Sequence, residues 1–129
     1  MKLVVADTNV FLRFLLNDIP SQVKKFEKLL RQAKKSEIIL IVPQIIIFEL
    51  NFILDKYYHL PKYEIINKLQ SILRTPYFKI QDIEIFRNAI KLYSKSNLSL
   101  ADCFIYYSSK GWEAELFTFD KDLQKFDRR

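Results

Sequence analysis

Four carboxylates stand where a carboxylate is unexpected, and their side chains are of the kind that binds metal ions. Asp7 and Asp120 each come directly after a short apolar run. Glu49 interrupts an otherwise apolar helical segment, where a buried charge without a partner is strongly unfavourable. Asp102 lies near the beginning of another predicted helix. Because four negative charges in one place repel each other, a shared site is reasonable only if it holds cations.

The carboxylate oxygens of these four residues limit which metal ions could bind. Carboxylate oxygens suit the hard ions Mg²⁺ and Mn²⁺. The chain has one His and one Cys, which leaves no second imidazole for a zinc site and no internal disulfide. Bound Mg²⁺ or Mn²⁺ lowers the pKa of a water molecule, aligns it for attack and neutralises charge on phosphate oxygens. The predicted chemistry is hydrolysis of a phosphate ester, and a net charge of +6 favours a polyanionic substrate.

Each carboxylate also has a purely structural interpretation. Asp7 and Asp120 are both suited to capping the helix that follows them. Ser99 and Asp102 have the spacing of a capping box. Glu49 is compatible with a narrow exposed strip on its helix. These interpretations stay open at the level of single residues, and the metal site is favoured by the four together.

The predicted order of strands and helices explains how the carboxylates meet. Short apolar runs predict strands at residues 3–6, 37–42, 77–81 and 114–119, and helical periodicity predicts helices at 10–17, 22–35, 43–58, 61–74, 82–94, 99–110 and 121–126. Strands alternating with helices favour a parallel sheet, and ligands of such sheets gather at the carboxyl ends of the strands. We expect the first strand to be central and buried on both faces, in one domain over residues 1–129.

Composition excludes several other classes of protein. The single glycine rules out a P-loop and a dinucleotide-binding loop. The apolar runs are far shorter than the ~20 residues of a membrane span, and the N-terminus lacks the pattern of a secretory signal. We therefore expect a soluble cytoplasmic protein without a membrane partner.

The motifs around these carboxylates resemble the PIN-domain family, in particular its VapC-like toxins. They are Val5-Ala6-Asp7-Thr8-Asn9 followed by Phe11-Leu12-Arg13, then Phe48-Glu49-Leu50, Leu100-Ala101-Asp102 and Thr118-Phe119-Asp120. The resemblance implies a three-layer α/β/α fold with a central parallel sheet of four strands, a fifth being left open. It also implies a Mg²⁺- or Mn²⁺-dependent ribonuclease acting on single-stranded or loop RNA. Such a protein is a homodimer, inhibited by a small antitoxin protein of a type II toxin–antitoxin pair.

The resemblance also assigns roles to individual residues. The catalytic, metal-binding residues are Asp7, Glu49, Asp102 and Asp120, and Thr8, Asn9 and Thr118 are supporting polar groups. Arg13 and Lys121 are candidates for contact with the substrate, although packing of Arg13 beside an acid is an equal alternative.

Other interpretations of the chain remain open. A PIN-like fold can bind RNA or a protein without cutting it. A receiver or an aspartyl-nucleophile phosphatase fits poorly, because Asn9 stands where such a phosphatase has a second Asp. The predicted helix 22–35 carries a dense cluster of cations, which forms either a solvated face or a contact with nucleic acid or an acidic partner. The apolar helices 44–58 and 82–94 are candidate dimer surfaces.

Overall fold

The computed structural model describes residues 1–128. The chain divides into two compact units, Met1–Gln81 and Asp82–Arg129. A single domain over residues 1–129 stays a prediction. Within residues 1–128, no helix is long and apolar enough to cross a membrane.

The first unit contains a parallel sheet flanked by helices. In chain order its elements are β1 (Lys2–Val5), α1 (Thr8–Leu16), α2 (Pro20–Lys34), β2 (Ile38–Val42), α3 (Gln44–Phe52), a π-helical turn (Ile53–Tyr57), α4 (Lys62–Leu73) and β3 (Phe78–Ile80). The strand order is β1-β2-β3, with both pairs parallel, as predicted. The carboxyl ends of β1 and β2 therefore meet at one edge of the sheet, where α1 and α3 begin.

The sheet has three strands within the described residues, so the prediction of four strands with an optional fifth is wrong. The expected strand at 114–119 has no regular secondary structure. Phe117 and Phe119 are 83% and 88% exposed, and their rings contact each other with centroids 5.4 Å apart. An apolar run becomes a strand only where a neighbour pairs with its backbone groups. The sequence shows the apolar run at 114–119, but it does not show whether another strand lies beside it.

The predicted place of the first strand is also wrong. β1 is at an edge of the three-stranded sheet, and its Leu3 and Val5 are 62% and 61% exposed. The central strand is β2, in which Leu40 and Val42 are fully buried. Both runs are short and apolar, and only the pairing with two neighbours distinguishes the central strand from an edge strand.

Phe11 of α1 lies at the centre of the first unit's core. It is fully buried and packs edge-on against Phe26 of α2 and Phe78 of β3, with centroid distances of 5.5 and 5.7 Å. The buried face of α2 contains Val23, Phe26 and Ala33. Helix α2 begins at Pro20, the residue type suited to a first helical position.

The second unit consists of helices α5 (Ile83–Lys95), α6 (Leu100–Gly111) and α7 (Lys121–Asp127). Helices α5 and α6 pack together, with the rings of Phe86 and Phe104 4.7 Å apart. The buried face of α5 includes Phe86, Ala89 and Ile90. These helices provide the positions of Asp102 and Asp120.

Candidate active site

Asp7 lies between β1 and α1, where it caps the helix. Its Oδ1 accepts a hydrogen bond from the backbone N–H of Val10 at 3.2 Å. The capping interpretation is therefore correct for this residue. An ionised carboxylate has two oxygens and about four acceptor positions, so one capping bond leaves capacity for a cation.

Thr8 connects this segment to α3. Its side-chain hydroxyl donates a hydrogen bond to Oε2 of Glu49 at 2.8 Å, across 41 positions of the sequence. Thr8 is only 8% exposed, and within residues 1–128 it is the one buried polar residue. The bond therefore fixes the carboxylate of Glu49 beside the residue that follows Asp7.

Glu49 lies on the exposed side of α3, although the residues around it are apolar. Its neighbour Leu50 is fully buried, while Glu49 itself is exposed. The interpretation of an exposed strip is thus correct. Glu49 keeps contact with water, so its charge is not enclosed by the apolar residues of α3.

Arg13 is engaged with protein groups. Its Nη1 lies 2.7 Å from Oδ2 of Asp18, and its Nη2 donates to the hydroxyl of Tyr58 at 3.2 Å. Its side chain is 16% exposed. The π-helical turn precedes Tyr58, whose N–H bonds to the carbonyl of Ile53 at 3.1 Å. The structure therefore shows Arg13 packed beside an acid, so a contact with substrate would compete with these partners.

Two grooves lie on the two sides of α1 and share Asn9 and Arg13, which stand one helical turn apart. The α1–α3 groove, of about 490 Å³, is lined on its far side by residues from Phe52 to Tyr58. The α1–α2 groove, of about 450 Å³, contains Asp7. Its other lining residues are Val10, Phe26 and Leu29, which are apolar, and Gln22 and Lys25, which are polar. The α1–α2 groove therefore brings a predicted metal ligand next to a cation.

In the second unit, Asp102 lies in the first turn of α6 and Asp120 is the N-cap residue of α7. The N–H of Asp102 donates to Oγ of Ser99 at 3.1 Å, which confirms the Ser99 cap. Oδ1 of Asp120 accepts from the N–H of Leu123 at 2.8 Å, and the N–H of Asp120 donates to Oγ1 of Thr118 at 3.1 Å. Thr118 thus contacts the backbone of Asp120, and its role as a supporting group stays a prediction. The exposed Lys121 begins α7.

The four predicted metal ligands are divided between the two units, two in each. Asp7 and Glu49 are in the first unit, and Asp102 and Asp120 are in the second. Among residues 1–128, no group of three or more His, Cys, Asp or Glu side chains is arranged to hold a metal ion. The donor type of the first pair, two carboxylates, nevertheless fits a hard cation such as Mg²⁺ or Mn²⁺. Thr8, the residue after Asp7, donates its hydroxyl to one of them, Glu49.

Lys25 and Gln22 are groove residues that the sequence did not single out. Lys25 belongs to the cation cluster of the predicted helix 22–35, whose members have similar surroundings in the sequence. Helical periodicity separates the lysine face from the buried face. It does not tell which lysine lies next to α1, because that depends on how the two helices pack.

Comparisons with known proteins agree on one family. The sequence model of the family described as PIN domain matches residues 4–129. A VapC ribonuclease of Aquifex aeolicus (strain VF5) is 32% identical over 103 residues, which is 80% of this chain and 74% of that protein. No solved structure matches the chain.

Proposed function

Because the chain belongs to the PIN-domain family, we propose that it is a Mg²⁺- or Mn²⁺-dependent endoribonuclease that hydrolyses phosphodiester bonds of RNA. The observation that carries the proposal is the 2.8 Å hydrogen bond from Thr8 to Glu49. It links the loop after β1 with the helix after β2, at the edge of the sheet where ligands of parallel sheets gather. The similarity to a VapC ribonuclease supports RNA as the substrate.

The residues of the first unit have distinct tasks in this proposal. Asp7 and Glu49 would hold the cation, and the family resemblance assigns a metal-binding role to Asp102 and Asp120 of the second unit as well. Thr8 keeps the Glu49 carboxylate in one orientation through its hydroxyl. Asn9 lines both grooves and offers an amide to the phosphate. The bound ion supplies charge neutralisation at the phosphate and a lower pKa for a nearby water.

The biological role that we propose is that of the toxin of a type II toxin–antitoxin pair, acting as a cytoplasmic homodimer. The resemblance to VapC-like toxins supports this role, and so does the similarity to a VapC ribonuclease. Phe52 and Tyr57 are 64% and 75% exposed. These two aromatic side chains favour α3 and the π-helical turn as the dimer surface. Light scattering coupled to size-exclusion chromatography tests the dimer, and a small reading frame beside the gene tests the antitoxin.

The experiment that tests the catalytic proposal compares wild-type protein with Asp7→Asn on single-stranded RNA. Asparagine caps helices as well as aspartate does, so the variant retains the cap on Val10 while it loses the charge. We expect cleavage by the wild type with Mg²⁺ or Mn²⁺, and its loss in Asp7→Asn and in EDTA. Cleavage by highly purified Asp7→Asn at the wild-type rate would refute the metal mechanism.

A second candidate is a PIN-like module that binds RNA or protein without cutting it. The observation in its favour is that residues 1–128 hold no ready group of three metal-ligating side chains. Calorimetric titration with Mn²⁺ separates the two candidates. Binding that is lost in Asp7→Asn supports the nuclease, and an absence of heat at millimolar Mn²⁺ supports the module.

A further inference from the structure

The α1–α2 groove combines three features that suit one segment of single-stranded RNA. It contains Asp7, which the proposed function places at the scissile bond. It has two amides, Asn9 and Gln22, and a cation, Lys25. Val10 and Leu29 form part of its apolar lining. A nucleotide has matching parts, since its phosphate is anionic and its base has polar edges and apolar faces.

Lys25 is the cation in this groove that forms no ion pair within residues 1–128. Arg13, the other cation of the lining, is neutralised by Asp18 at 2.7 Å. Lys25 is exposed and makes no ion pair within residues 1–128. A phosphate that approaches Asp7 is repelled by its carboxylate, and an unpaired ammonium in the same groove counteracts that repulsion. Lys25 is therefore the residue of the α2 cation cluster that is placed to act on substrate.

We infer that Lys25, with Gln22 one turn before it, is a substrate-positioning residue that holds an RNA backbone phosphate adjacent to the scissile one. This inference rests on the proposed ribonuclease function and adds to it a binding subsite between α1 and α2. The remaining cations of α2, among them Lys24 and Lys28, do not line the groove. They contribute only the general attraction of a basic surface for a polyanion.

Lys24 provides a matched control for this inference. It is the neighbouring residue on the same helix, carries the same charge and is exposed like Lys25, but it lies outside the groove lining. Lys25→Ala and Lys24→Ala therefore lower the net charge equally. A difference in RNA affinity between the two variants is therefore due to the position of Lys25 in the groove and not to the overall charge.

The test measures binding of a fluorescein-labelled single-stranded RNA by anisotropy, in the Asp7→Asn background so that the RNA stays intact. We expect Lys25→Ala to weaken binding about 3- to 10-fold and Lys24→Ala less than about 2-fold. Loss of one phosphate contact also reduces the slope of log K against log salt by about 0.7 in Lys25→Ala. In the active protein, Lys25→Ala should raise KM with little change in kcat.

Two results would overturn the inference and leave the ribonuclease assignment intact. One is RNA cleavage by the wild type together with equal, small effects of the two variants, which identifies a uniformly basic surface. The other is an RNA affinity that neither substitution changes. That result would favour an acidic protein segment as the ligand of the groove. By contrast, a wild-type protein that neither binds nor cleaves RNA contradicts the proposed function itself.

Discussion

Thr8→Val is the substitution that isolates the central contact of the candidate site. It replaces a hydroxyl with a methyl group of the same shape, so it removes the hydrogen bond to Glu49 without opening a cavity. Hydrogen bonds to charged groups contribute about 1.5–3 kcal/mol to stability. Because Glu49 is exposed, water replaces the lost partner in part. We therefore expect the free energy of unfolding to fall by about 1–1.5 kcal/mol.

For a chain of 129 residues, that loss corresponds to a decrease in Tm of about 3–5 °C, measured by circular dichroism. A double-mutant cycle with Glu49→Ala isolates the pair, because it subtracts whatever else each substitution changes. We expect a coupling free energy of about 1 kcal/mol between positions 8 and 49. RNA cleavage should fall in Thr8→Val and be retained in Thr8→Ser, which keeps the hydroxyl.

Thr75→Val is the control for this cycle. The hydroxyl of Thr75 also makes one hydrogen bond, to the carbonyl of Ser71 at 2.8 Å. Its cycle with Glu49→Ala should give a coupling of zero within ~0.5 kcal/mol, as expected for groups that share no partner. If positions 8 and 49 show a coupling as small as this control, Thr8 does not hold the carboxylate and the argument from this contact is wrong.

The remaining predictions concern stability. Phe11→Ala removes a fully buried ring from between Phe26 and Phe78. It should lower the free energy of unfolding, measured by urea denaturation, by about 3–5 kcal/mol, whereas Phe11→Leu should lower it clearly less. Equal losses in the two variants would refute the packing described. Ser99→Ala removes the cap from the N–H of Asp102 and should cost about 1 kcal/mol, which Ser99→Asp should restore; a neutral Ser99→Ala would show that the cap does not stabilise α6.

The sequence was informative where the signal is local. The helix boundaries of α1, α2 and α5 follow from periodicity, and the cap at Ser99 follows from spacing. The parallel order of strands follows from their alternation with helices. The helices and the cap depend on residues that lie within a few positions of each other, and the parallel direction of the strands depends only on the order of the elements.

The errors concern features that depend on distant partners. The runs around Leu3 and Leu40 look alike, yet one strand is at the edge and the other is central. The run at 114–119 has the composition of a strand and no strand to pair with in the described chain. The partner of Glu49 lies 41 residues away, and the partners of Arg13 include Tyr58, 45 residues away. No local pattern encodes such pairs.

The π-helical turn at Ile53–Tyr57 contains one residue more than an α-helix of the same length. Deleting Asp55 would restore α-helical winding and rotate every later position by about 100° relative to α3. His59 would then take the register of Tyr58, and Arg13 would lose its phenolic partner. The extra residue thus sets the position of Tyr58 relative to Arg13. Its removal would make the helix more regular and would leave Asp18 as the remaining partner of Arg13.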